Sequence, residues 1–327
     1  MGSIDSMSII STEIALCEQF ACNEAILVSS GLSALEIVLI GIGAGPGIIV
    51  ACDALYPFAA MAVINVGARP VAYDLEPETG LPLWESVVQC RAAGATILVV
   101  TSYFGQRAAC PDLAARASAI GLLLIEDRAQ CFGRHSECWP AIFSFQAGKF
   151  LSCGFGGAIA LPREACADVY RRQVHLGWWP RAEDEGISWS SGWMQRVPGR
   201  SARIPPAAAE ILAGQILCID VFTKSLAASL NDLRAEVELA VGADAVVPEA
   251  EGVRLVAVRV GNARAKASLG RVLSARGVTW GCPVHPLVTE WPGLTQHWLE
   301  QGASLSGTRI ILSSLILVSL DTWNRHL

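Results

Sequence analysis

The sequence predicts an α/β protein: a large unit whose mostly parallel, mixed sheet is sandwiched by helices, followed by a small C-terminal α+β unit. Short apolar runs alternate with stretches of helical spacing. Several of those runs end on a polar residue, as strands do where ligands bind in such sheets. A long helical stretch then separates them from a second, smaller set of strands.

Taken in order, Ile9–Ala21 has helical spacing and Ala25–Ser29 reads as a strand. Ser30 is placed to cap a helix at Gly31–Ile40, whose first turn offers free backbone amides beside small side chains, a natural phosphate seat. The turn Gly41–Gly47 leads to strand Ile48–Ala51, helix Tyr56–Val66 and strand Pro70–Tyr73, which ends at Asp74. Strand Thr96–Val100, helix Asp112–Ile120 and strand Leu122–Ile125 follow, with Glu126, Asp127 and Gln130 at the strand end. Ile142–Phe145 and Gly157–Leu161 read as strands around a turn that holds Lys149, and Trp178–Trp193 as a loop or lid. Ile204–Glu238 reads as one long helix. Arg254–Val260, Val278–Trp280 and Arg309–Ser313, with helix Lys266–Arg276, complete the small unit. The expected organisation is a helical segment at 1–22, a large domain at 23–203, a linking helix at 204–238 and a small domain at 239–327.

Composition narrows the function classes. Of 327 residues, 52% are hydrophobic and 17% charged, a balance that points to burial in an oligomer. A net charge of −6 without a basic stripe argues against nucleic acid and anionic membrane as partners. The uncharged runs Ile37–Cys52 and Ala54–Ala68 are broken by Gly or Pro and read as buried elements, not spans. The odd count of eleven cysteines, without a C-x-x-C pair, fits free thiols in a reducing compartment. With no basic segment and apolar core at the start, the expected location is the cytoplasm.

Two tempting motifs fail. The glycines of 41–47 follow a helix and precede a strand, the reverse of a dinucleotide fingerprint. Cys131, His135 and Cys138 have no clear fourth zinc ligand, Cys153 being the only local candidate. What stands is distributed: the helix start at Ser30–Ala34, a carboxylate ending a strand at Asp127, and Lys149, the only charge between Ala141 and Ala160. Pyridoxal phosphate needs this set. A lysine forms its Schiff base, a carboxylate keeps its pyridine nitrogen protonated, and a helix start seats its phosphate. Tyr56, at a helix start after a strand, is available to stack on the ring.

The order of these residues resembles the DegT/DnrJ/StrS family of fold-type I pyridoxal-phosphate enzymes, mostly sugar aminotransferases. The likeness runs from Glu18–Ala21 into the C-terminal unit. SGLSAL at Ser30–Leu35 is similar to the family's S-G-T-x-A-L, GARPVAYD at Gly67–Asp74 to G-A-x-P-V-x-x-D, and Phe104–Gln106 to Y/F-G-Q. EDRAQ at Glu126–Gln130 is similar to E-D-A-A-Q, FSFQAGKFLSCGFGG at Phe143–Gly157 to F-S-F-x-x-x-K-x-L-x-x-x-E-G-G, and Gly199–Ile216 to G-x-N-x-R-M-x-x-x-Q-A-A-x-x-x-x-Q-L.

The resemblance implies an aspartate-aminotransferase-like fold and a homodimer with shared sites. Lys149 would be the cofactor-linking lysine and Asp127 the pyridine-nitrogen partner, with Gln130 near the ring hydroxyl and Tyr56 on the ring. Ser144 and the amides of Leu32 and Ser33 would hold the phosphate, joined by Ser201 from the partner subunit, at the family's asparagine position. An amino acid such as L-glutamate would be the donor and a nucleotide-linked keto sugar, or a related intermediate, the acceptor. Leu32, Arg128, Gln146 and Phe155 depart from the family pattern, which keeps two alternatives in view: another pyridoxal-phosphate reaction such as elimination or dehydration, and a noncatalytic relative. His285 is a further candidate to approach the site from the small unit.

Overall fold

In the computed structural model, a seven-stranded sheet is built from β1 (Glu24–Val28), β2 (Ile49–Asp53), β3 (Arg69–Tyr73), β4 (Ala95–Thr101), β5 (Leu123–Asp127), β6 (Ala141–Ser144) and β7 (Gly157–Leu161). The structure describes residues 4–134, 139–162, 167–177, 199–242, 246, 255–260, 263–275, 280–281, 287–299 and 305–319. Strand order is β1-β7-β6-β5-β4-β2-β3. The five strands from β6 to β3 run parallel, while β7 is antiparallel to both β6 and β1. This is the mixed, mainly parallel sheet that the short apolar runs predict.

Both faces are covered, and the alternation along single strands says by what. Ile26, Val28, Ile142, Ile159 and Leu161 enter one core with α2 (Gly31–Gly41) and α3 (Pro57–Asn65). Ala25, Leu27, Ala141, Phe143, Ala158 and Ala160 enter the other, with α1 (Ile4–Phe20), α7 (Pro206–Leu217) and α8 (Ile219–Val241). The first core also receives residues of α4 (Trp84–Ala92), α5 (Pro111–Ala119) and α6 (Ala167–Val174). A second, three-stranded sheet runs β8-β10-β9, from β8 (Leu255–Arg259), β9 (Trp280–Gly281) and β10 (Leu315–Ser319), with α9 (Ala263–Ala275) and α10 (Ser306–Ser314) beside it in the chain.

Helix α6 has no counterpart in the sequence reading, and three further elements differ from it. Helix α4 goes unsignalled because its apolar residues are few: only Ser86, Val87 and Cys90 are buried. The single helix expected at 204–238 is two, bent by 73° at a break at Cys218. Among the described residues no single helix is long and apolar enough to cross a membrane.

Arg309–Ser313 lies inside α10, and the strand follows it. The reason is a tertiary cap. Buried Asp74, just past β3, accepts from the amides of Gly307 (2.9 Å) and Thr308 (2.8 Å) and from the Thr308 hydroxyl (2.7 Å). A carboxylate from 233 residues away thus satisfies amides that the helix cannot satisfy itself. The approach is close: a Cβ on Gly307 would sit 1.8 Å from the Leu75 carbonyl oxygen. Asp74→Ala is expected to cost about 2–4 kcal/mol in urea unfolding, since it strands buried donors as well as losing charge-assisted bonds.

Candidate active site

The carboxyl ends of the parallel strands β2, β4, β5 and β6 lie side by side, and the polar residues gather there. Ser30 is extended (φ −165°, ψ 162°) and caps α2, its Oγ accepting from the Ser33 amide at 3.0 Å. Ser33 Oγ lies 2.9 Å from Ser30 Oγ and 3.2 Å from Ser29 Oγ. The Ser33 amide is therefore engaged by the cap, which leaves Leu32 and the serine hydroxyls to face an anion. Two glycines let the sheet come this close. A Cβ on Gly157 would meet Ser30 C at 2.6 Å and Gly31 N at 2.7 Å, and one on Gly31 would meet Ser144 Cβ at 2.9 Å and Ser144 Oγ at 3.4 Å. Ser144, at the end of β6, is thereby brought to the start of α2.

Asp127 closes β5 and is buried. Its Oδ1 accepts from the Ala129 amide at 2.9 Å, while its carbonyl accepts from the Ser102 amide at 2.9 Å. Burial pushes its pKa up to about 6; the Ala129 amide and the Lys149 charge act against that rise, and the Asp53 and Glu126 charges add to it. Lys149, in the turn after β6, donates its amide to Gln146 at 3.1 Å. Burial lowers its pKa and the Asp127 charge partly restores it. The two groups feel one another as a cation and a carboxylate in a poorly solvated place. Gln130 accepts from the Phe104 amide at 3.4 Å and so braces the Tyr103–Gly105 turn, in which Phe104 has a left-handed backbone (φ 56°). Tyr56 stands at the N-cap of α3, its ring centroid 5.6 Å from that of Tyr103.

Ser201 is exposed and pairs with His175 in an isolated bridge. Its segment is fixed by Ser29, whose amide donates to the Ala202 carbonyl at 2.8 Å, and by Arg200, which pairs with Glu36 of α2 at 2.7 Å. Trp178–Trp193, His135, Cys138 and His285 lie outside the described residues.

Arg128 follows Asp127 in the chain, but its fully buried guanidinium serves the core. It donates to the Arg134 carbonyl at 2.7 Å, lies 3.9 Å from Glu126 and 3.6 Å from the Cys131 sulfur, and covers the Phe143 ring at 5.3 Å. Gln146 and Phe155 are exposed.

A further group escapes the sequence reading. Asp53 ends β2 as Asp127 ends β5, is fully buried, and accepts from Tyr103 Oη at 2.5 Å, Thr101 Oγ1 at 2.9 Å and the Leu55 amide at 2.9 Å. The strand-end rule applied to β2 would have found it.

The sequence model of the DegT/DnrJ/EryC1/StrS aminotransferase family matches residues 9–288. This chain belongs to that family. A relative from Streptomyces kanamyceticus, described as a putative L-glutamine:3-amino-2,3-dideoxy-scyllo-inosose aminotransferase, is 29% identical over 222 residues, 64% of this chain and 50% of its own. The chain thus spans half the length of that curated relative. Among solved structures, an aminotransferase from Psychrobacter cryohalolentis superposes with a TM-score of 0.82 at 18% identity, over 95% of this chain and 85% of the other. NtdA from Bacillus subtilis, solved with bound cofactor PMP, gives 0.80 at 17% identity, over 96% and 73%. At these identities the likeness speaks for the fold alone.

Proposed function

We propose that this chain is a pyridoxal-phosphate-dependent aminotransferase that moves an amino group from an amino-acid donor to a ketone on a sugar or cyclitol ring. The observation that carries this reading is the charge coupling between the buried carboxylate of Asp127 at the end of β5 and Lys149 in the turn after β6, a lysine whose proton affinity burial lowers. The start of α2, with Ser144 beside it, fits the phosphate of such a cofactor. When bound, pyridoxal phosphate supplies a carbonyl that takes up the amino group and a ring that accepts electrons from the donor's Cα.

The protein's own groups divide the remaining work. Asp127 holds the proton on the ring nitrogen by a charge-assisted hydrogen bond. Lys149 would anchor the cofactor and, when free, would be an amine of lowered proton affinity suited to hold and move the proton at the donor's Cα. The Leu32 amide and the hydroxyls of Ser33 and Ser144 would bind the phosphate, the Ser33 amide being taken by the Ser30 cap, with Ser201 of the partner subunit completing the seat in a homodimer. Gln130 would lie near the ring hydroxyl and Tyr56 would stack on the ring. The family relative's description, an L-glutamine-dependent enzyme acting on an inosose, supports glutamine beside glutamate as donor and a cyclitol beside a nucleotide sugar as acceptor. The core position of Arg128 takes away one motive for a different reaction.

The test is an absorption titration of the reconstituted protein with L-glutamine and L-glutamate. The expected result is loss of the visible cofactor band and formation of the pyridoxamine spectrum with one donor, the band being absent in Lys149→Ala. A band that neither donor moves would overturn transamination from these donors.

A further inference from the structure

A buried carboxylate without a cation is an expensive way to fill a core, and among the described residues no cation pairs with Asp53. Burial accordingly pushes its pKa up, against the hydrogen bonds of Tyr103, Leu55 and Thr101. An apolar residue would serve packing alone at lower cost. The partners of this carboxylate indicate what the cost secures. Oδ1 takes both the Leu55 amide and the Tyr103 hydroxyl, while Oδ2 takes Thr101 on the neighbouring strand. Leu55 is the residue before Tyr56, so one bond fixes the backbone that launches Tyr56. The other anchors the far end of a buried ring whose centroid lies 5.6 Å from that of Tyr56 and 5.6 Å from that of Phe104, with the planes tilted by 31° and 33°. Phe104 in turn keeps its left-handed backbone, a conformation that persists only where its surroundings over-determine it.

We propose that Asp53 and Tyr103 are positioning residues for the cofactor ring: Asp53 fixes Tyr56 through the Leu55 amide and through the Tyr103 ring, so that the Tyr56 face is set before the cofactor arrives. This rests on the reading of Tyr56 as the ring-stacking residue. Preorganisation of this kind raises affinity by removing the cost of ordering a side chain on binding. Thr101 completes the set of donors around the carboxylate and keeps it from turning.

The test is a double-mutant cycle on pyridoxal-phosphate binding, read as the Kd from fluorescence quenching and as the visible circular dichroism of the bound cofactor. The proteins are wild type, Asp53→Asn, Tyr103→Phe, Tyr103→Leu, Tyr56→Leu and the Tyr56→Leu/Tyr103→Leu double variant. Tyr103→Leu is expected to weaken binding about three- to tenfold and to reduce the dichroic band. Tyr103→Phe, which keeps the ring and loses the anchor, and Asp53→Asn, which keeps an acceptor and loses the charge, should shift both readouts in the same direction by less. In the Tyr56→Leu background, Tyr103→Leu should add nothing, because its effect passes through Tyr56. Unchanged Kd and dichroism in the single variants, or full additivity in the double, would reduce Asp53 and Tyr103 to core packing and overturn the inference. Wild-type protein that binds no pyridoxal phosphate would remove the functional reading and this inference together, whereas normal wild-type binding with unaffected variants removes this inference alone.

Discussion

Lys149→Ala is expected to lower turnover with any donor and acceptor pair by at least about 10³-fold, since under the proposed function it removes both the covalent anchor and the group that carries the proton. The loss has a distinctive companion. Lys149 is a cation that holds down the proton affinity of Asp127, so its removal should move the Asp127 titration upward from about 6. Burial lowers the Lys149 pKa, which means that its charged form costs stability throughout neutral pH and that this cost is relieved only as pH rises toward 10.5. The cofactor-free alanine variant is therefore expected to stay folded, and circular dichroism and thermal melts at pH 7 check that directly. Turnover within about tenfold of wild type, in a folded variant, would remove Lys149 from the chemistry.

The strands of the large sheet were readable because each is short, apolar and buried on both faces, so that runs such as Ile48–Ala51 and Thr96–Val100 stand out against their polar ends. The helix start at Ser30 was equally local, a capping serine before an apolar run that is buried almost all round. What local pattern could not supply was anything decided by a distant residue. Helix α10 depends on Asp74, 233 residues earlier, to satisfy its first amides, and its own sequence offers no capping side chain at Leu305. The bend at Cys218 interrupts a pattern that stays helical on both sides of it. Within the site, Asp127 was legible as a carboxylate ending an apolar strand, and Lys149 as a lone charge in an apolar stretch. Asp53 is one too, but its meaning comes from Tyr103 and Thr101, which only the stacking of β2 against β4 brings to it. Arg128 shows the converse. Its sequence position beside Asp127 suggests an altered pocket, whereas its contacts with Glu126, Arg134 and Phe143 belong to the core.

Asp127→Asn should separate stability from activity in opposite directions. The carboxyl pKa rises from 3.8 in the unfolded chain to about 6 in the fold, so between those values the native state holds more protons than the unfolded one. Stability then falls as pH rises through that window, and the full penalty, about 3 kcal/mol, applies above pH 6 in the cofactor-free protein. Asparagine keeps an oxygen for the Ala129 amide and carries no charge to desolvate. The cofactor-free variant is accordingly expected to be more stable than wild type at pH 7 to 8 and to converge with it near pH 4, as read from urea midpoints across the range. Its turnover should drop by at least about 10²-fold, because under the proposed function an amide would give the ring nitrogen no anionic partner for its proton. Cofactor binding should also flatten the wild-type pH dependence between 4 and 6, since a protonated ring nitrogen opposite Asp127 favours the carboxylate in the fold. A variant less stable than wild type at pH 8, with parallel pH profiles, would mean that the carboxylate is held by hydrogen bonds strong enough to cancel its burial. Here the penalty is an investment in function: a buried carboxylate is kept charged-ready at a strand end, at a cost to the empty protein that the proposed cofactor offsets.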